Sequence, residues 1–222
     1  MTVYTEGLHT GEYLVSEANG YLSREVATIA GGNYVAGTVL GKIGHAATAS
    51  VAAAGAGAAG ANTGNGTLTM DATAPVASAA KVGIYTVKCI AVATNGGTFR
   101  VTDPDGFLVG DVAVGATYSD DVKFAIADGA TDFVVGDGFA ITVAVGSGKY
   151  TGLDPSKATG AEVAVAILYE GCDASTVDQK RTITARSSEV NGLALAWPAG
   201  ITDQQKATAI ANLAGRGIIV RS

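Results

Sequence analysis

Aromatic side chains are scarce in this chain, at 6%, and charged ones make up only 15%. A core without many rings is built from small pieces, and Ala and Val supply much of the 48% hydrophobic fraction. Such a core stores little burial energy per residue. Histidine is nearly absent: His9 sits in the polar leader and His45 beside an Ala/Gly run, and neither has the surroundings of a catalytic base. Cysteine is represented by Cys89 and Cys172 alone. With no C-x-x-C or Cys/His cluster, a zinc site is not expected. Two separate thiols in a reducing compartment are the preferred reading over a disulfide. The 14 Lys and Arg form no run, and the formal net charge is -6. An acidic chain is repelled by phosphate, so neither nucleic acid nor an anionic membrane is an expected partner. No apolar stretch reaches the length of a membrane helix, and MTVYTEGLHTGEYLV lacks the basic-then-apolar pattern of a signal peptide.

What the sequence does have is glycine, 31 residues in 222, spaced between short apolar segments. This predicts a mainly β fold with one or two short helices. KVGIYTVKCIAVA alternates, with Val82, Ile84, Thr86 and Lys88 against Tyr85, Val87 and Cys89. GTFRVTD, a turn at Asp103-Pro104-Asp105-Gly106, FLVGDVAVG, VKFAIADG and DGFAITVAVG follow at the spacing of an antiparallel sandwich or barrel. Earlier, GYLSREVATIA and YVAGTVLGKI read as strands around a Gly31-Gly32-Asn33 turn. Later, AEVAVAIL reads as a buried strand, and KRTITARSSEV as an alternating polar one. LALAWPAG leads into a helix with a Thr202/Gln205 capping box, Ala207, Ile210, Ala211 and Ala214 on its inner face, Leu213 beside it, and Gly215 as its stop.

The expected organisation is an extended arm over 1–16, a body over 17–45 and 161–222, and an inserted β module over 67–147. An Ala/Gly-rich connector over 46–66 and a return connector over 148–160 flank the insert. Val3, Tyr4, Tyr13 and Leu14 are the sticky side chains of the arm. Carboxylates gather at turns: Asp103, Asp105, Asp120, Asp121, Asp128, Asp132 and Asp137. None fits the spaced loop of a calcium site, and Asp is a preferred turn residue for its local hydrogen bonds. No cofactor or metal is implied. No nucleophile elbow, phosphate loop or zinc-protease motif is present, so the chain is read as a non-enzyme. Trp197, with Pro198, is read as a core ring or a subunit-interface anchor, since Trp is enriched at hot spots.

Two stretches resemble the lambda-type phage head decoration family. One is AVAILYEGCDAS, RTITARSSEV and LALAWPAGITDQQKATAIANLAGRGIIVR, in that order; the other is EYLVSEANGYLSREVATIA with AGTVLGKI. The resemblance implies a decoration-protein body, here interrupted by the β module. It implies a homotrimer on the outer surface of a virion capsid, with the arm reaching the major capsid protein through Val3, Tyr4, Tyr13 and Leu14. It places Trp197, Pro198 and Ile210 in the trimer body. The function implied is cementing of the head lattice against the pressure of packaged DNA. A second reading gives the β module a host carbohydrate or receptor to bind.

Overall fold

The computed structural model describes residues 7–221, so Val3 and Tyr4 of the arm lie outside the described residues. The chain divides into two compact units, one comprising residues 7–44 and 148–221, the other residues 45–147.

The first unit begins with β1 (Leu14–Glu17), the one-turn helix α1 (Gly20–Ser23), β2 (Arg24–Ile29), β3 (Asn33–Tyr34) and β4 (Val39–Lys42). It resumes with β13 (Tyr150–Gly152), β14 (Ala164–Leu168), β15 (Cys172–Asp173), β16 (Gln179–Thr184), β17 (Ser188–Asn191), the helix α2 (Asp203–Ala214) and β18 (Ile218–Arg221). Five strands close a small barrel in the order β13-β2-β16-β14-β4. Beside it lie a three-stranded sheet, β1-β17-β18, and the pair β15-β3.

The strand β14 is buried along its whole length, because both of its faces are covered. Val165, Ala166 and Leu168 join Ile29, Leu40 and Ile183 in one core, while Ala164 and Ile167 join Leu213 and Ile218 of the α2 side in another. A register shift against β4 between Ala164 and Ala166 lets two consecutive residues share a face. Gly41 of β4 is required here, since a Cβ would overlap the Ala161 backbone. Each fully buried Leu or Ile contributes about 1.5–3 kcal/mol.

Four details of the first unit depart from the sequence reading. Residues 20–23 form α1 rather than strand, capped by Asn19, whose side chain accepts from the Tyr21 N–H at 3.0 Å. KRTITARSSEV is split into β16 and β17 at Ser187, whose φ is 48°. The return connector contains β13, a barrel strand. Finally, α2 buries Ala209 and Leu213, with Ile210 half-buried and Ala207, Ala211 and Ala214 exposed. The reason is size: Leu213 carries more apolar area than any alanine, and Ala209 lies one turn before it on the same face. The capping box between Thr202 and Gln205 forms as expected.

The second unit holds β5 (His45–Ala53), β6 (Thr67–Met70), β7 (Gly83–Ala93), β8 (Gly96–Thr102), β9 (Leu108–Ala113), β10 (Thr117–Ser119), β11 (Lys123–Ala127) and β12 (Gly138–Val145). These make an antiparallel five-stranded sheet, β5-β12-β7-β8-β9, and a three-stranded sheet, β10-β11-β6. The alternation of β7, β8 and β12 sends Tyr85, Val87, Phe99, Val101, Phe139 and Ile141 into one core with Leu68, Tyr118, Phe124 and Ile126 of the smaller sheet. Phe99 meets Phe133 edge-on, with ring centroids 4.9 Å apart.

The first half of the Ala/Gly connector is not a connector. Residues 45–53 form β5 and pair along β12 from Phe139↔Ala53 to Val145↔His45. Alanine has no strand preference of its own, so the ladder offered by β12 decides the conformation.

Candidate functional site

The leader enters the first unit at Gly11. Its φ is +69°, its N–H donates to the Tyr169 carbonyl at 3.0 Å, and a Cβ there would stand 2.9 Å from the Tyr169 ring. Just ahead of it, His9 donates its N–H to the Glu12 carboxylate at 2.8 Å. Tyr13 follows and is buried to 1% exposure. Its hydroxyl and that of Thr184 share a hydrogen bond of 2.6 Å. Burial holds the Tyr13 phenol well above its ordinary pKa, against the lowering effect of the Thr184 bond. Leu14 is half-buried in β1, opposite Val190 of β17. The structure thus corrects the reading of Tyr13 and Leu14 as free arm residues. A large ring with one hydroxyl finds more burial and a better partner inside its own chain than an extended arm offers.

The root is braced further on. Arg24 lies 4.1 Å over the Tyr169 ring and pairs with Glu17, donating its Nε–H at 3.0 Å. That hydrogen bond lowers the Glu17 pKa and raises that of Arg24. Among the described residues, β1 and β18 each have one strand neighbour in their sheet, so each offers a backbone edge. Exposed apolar side chains lie along the same stretch of chain: Val15, Leu22, Val26 and above all Tyr21, which is 99% exposed on the capped turn of α1. The sequence reading passed over Tyr21. The available signal was Asn19-Gly20, an N-cap and a small residue ahead of an apolar pair.

Trp197 is half-buried, packed against the core that holds Leu195, Leu213 and Ile218. Lys206 of α2 stands 5.2 Å above its ring, and the buried indole Nε1 finds no hydrogen-bond partner among the described residues. Pro198 and Ile210 are also half-buried. Because the ring is only partly covered, Trp197→Ala is expected to cost about 2 kcal/mol rather than the 3–5 of a fully buried ring. Thermal unfolding of the variant checks this; an unchanged midpoint would remove Trp197 from the body's packing.

In the second unit most of the turn carboxylates are occupied by the fold itself, whereas Asp128 keeps a buried Oδ1 with no partner among the described residues. Asp103 accepts from the N–H groups of Asp105 and Phe107 at 3.0 and 2.8 Å, and Lys81 bridges Asp103 and Asp105 at 2.6 and 2.7 Å. Asp137 accepts three backbone N–H groups. Asp111 pairs with Arg100, Asp121 accepts from Tyr85, and Asp132 accepts from the Asn95 N–H. Among the described residues, no group of three or more His, Cys, Asp or Glu could hold a metal. Tyr85, Phe99, Tyr118, Phe124, Phe133 and Phe139 are all buried, which leaves Phe107, 68% exposed, as that unit's outward ring. Cys89 and Cys172 are buried free thiols, one in a core of each unit. No helix among the described residues is long and apolar enough to cross a membrane.

The first unit is thus a β-rich body with a rooted leader, strand edges and exposed apolar side chains. The family model for bacteriophage lambda head decoration protein D matches residues 3–218. The chain belongs to that family, and with it come a capsid decoration role and a place on the virion capsid. The family is a structural, non-enzymatic one. No curated protein matches the chain. Two crystal structures of Xanthomonas campestris FlgL, in space groups H3 and C2, are 23% and 25% identical to it, each with a TM-score of 0.29. Those matches cover 50% and 49% of this chain and 33% of the FlgL chain, and bear on neither fold nor function.

Proposed function

We propose that the protein cements the outer surface of a phage head as a homotrimer, clipping neighbouring copies of the major capsid protein together against internal DNA pressure. The observation that carries this reading is the family match over residues 3–218. The net charge of -6 supports an outward position, away from packaged DNA. The residues ahead of Gly11, with Val3 and Tyr4, are the capsid-reaching arm, and the open edge of β1 continues the surface on which a capsid strand pairs. Tyr21 and Leu22 join them as exposed anchors. The solvent-facing parts of Trp197, Pro198 and Ile210 are the subunit contacts within the trimer.

Three arms on one trimer act together, since engagement of the first raises the effective concentration of the others. No bond-making step is needed. The test adds purified protein to expanded, undecorated heads of its own phage. Binding that saturates in multiples of three and raises the temperature of DNA release supports the reading; failure to bind, or binding without added resistance, rejects it.

Deleting residues 2–7 is expected to leave the melting of the body unchanged and to weaken head binding by about tenfold or more. Each backbone hydrogen bond contributes about 0.5–1.5 kcal/mol, and 1.4 kcal/mol is a factor of ten. A truncated protein that binds heads equally well would show that the arm is not the clip.

A further inference from the structure

Each unit draws on its own core residues. The core of Tyr85, Phe99, Tyr118, Phe124 and Phe139 is drawn entirely from residues 45–147. The cores around Ile167 and Leu168 are drawn entirely from the rest of the chain. Each unit is also closed at the point where the chain passes between them. On the first side, Ile43 donates its N–H to the Lys149 carbonyl at 3.0 Å, and Gly148 donates to the Ile43 carbonyl at 2.9 Å. On the second, His45 is the ladder partner of Val145. Gly148 has a φ of +69° and open space around it, a conformation suited to a tight reversal. Charge is divided as well. Residues 45–147 contain nine Asp, no Glu, three Lys and one Arg, a net of -5, which leaves -1 for the remainder of the chain. The anchored leader, the β1 and β18 edges, Tyr21 and Trp197 all belong to the first unit.

We propose that residues 45–147 are an independently folding module, and that attachment to the head is carried wholly by the first unit, which works without it. The attachment half of this proposal rests on the decoration reading; the folding half does not. About a hundred residues around one aromatic core suffice for autonomous folding, and neither unit needs the other to bring its chain ends together.

The test starts with the full chain. Calorimetry is expected to show two transitions, with Asp137→Ala lowering one and Tyr13→Ala lowering the other. A single transition, or one that both substitutions move together, overturns independence. Head binding is then measured with the Asp137→Ala chain at a temperature between its two transitions, and with a chain in which Gly44 is joined directly to Gly148. Affinities within about threefold of the full chain are expected, well inside the tenfold that a lost contact of 1.4 kcal/mol would give. A deletion chain without its own transition overturns independence. A folded deletion chain that has lost binding places part of the attachment in the module and overturns the second half. If the unaltered chain itself fails to bind heads, the decoration reading falls, and with it the attachment half, while the calorimetry still decides the folding half.

Discussion

Tyr13→Ala is expected to destabilise the first unit by about 3–5 kcal/mol, the range for removing a fully buried large ring. The ring lies in one core with Val39, Leu153, Ile167, Val190 and Leu195, so its loss leaves a cavity lined by side chains from several strands. Its hydroxyl is also the partner of Thr184, which is itself fully buried. Tyr13→Phe separates the two effects. It keeps the ring and strands the Thr184 hydroxyl, and should cost about 1–3 kcal/mol. Denaturant melts of both variants measure the difference. A Tyr13→Ala midpoint equal to the parent's would mean that the leader is not rooted in the body as described. Removing residues up to 14 takes out part of the core, so loss of head binding by such a chain would report unfolding rather than loss of an arm.

Asp137→Ala is expected to cost the second unit a similar amount, about 3–5 kcal/mol, for a different reason. The Asp137 carboxylate is 2% exposed and accepts the N–H groups of Thr63, Gly64 and Val134 at 2.8, 2.9 and 3.0 Å. It fastens the loop before β6 to the turn before β12, and Asn62 adds a bond from the Gly138 N–H at 2.8 Å. Alanine would leave several buried donors unpaired, at about 1–3 kcal/mol each before relaxation. Burial alone would raise the Asp137 pKa, but the Gly64, Thr63 and Val134 donors outweigh it and hold the group below its ordinary value. A depressed folded pKa gives stability that is complete above the unfolded value, near pH 4, and is lost as pH falls through the folded one. The second unit should therefore weaken on acidification below about pH 4, and Asp137→Asn should flatten that limb. Identical acid limbs in parent and variant would reject this assignment.

Much of the second unit was legible because its strands alternate cleanly. Tyr85, Val87 and Cys89 on one side of β7 needed only the two-residue period of a strand to be assigned to the core. The Asp103–Gly106 turn was equally plain, since Asp and Gly have local reasons to be there, and the Gly106 N–H returns to the Asp103 carbonyl at 3.0 Å. The helix start at Thr202 was a local signal too. By contrast, β5 looked like a flexible joint, because nothing within HAATASVAA announces the partner some ninety residues ahead. The face of α2 reads wrongly from sequence because three alanines and one isoleucine outnumber a leucine that fills more space.

The candidate site divides along the same line. The order of AVAIL, the polar strands, Trp-Pro, the capped helix and the final GIIV was enough to indicate the family that the match over 3–218 bears out. It could not say which of the sticky residues near the start are free. Tyr13 reads as an arm residue and is core, while Tyr21 reads as a strand residue and is almost fully exposed.

By itself, then, the sequence determined the β character, the acidic surface, the main turns, the capped helix and the family, because each depends on residues close together in the chain or on composition. Only the tertiary structure decided that Tyr13 faces inward, that an alanine run becomes a ladder strand and that three separate cores form. Those outcomes depend on partners far away in sequence: Thr184 for Tyr13, β12 for β5. A contact that far along the chain leaves no periodicity behind it, and becomes visible only when the chain has closed.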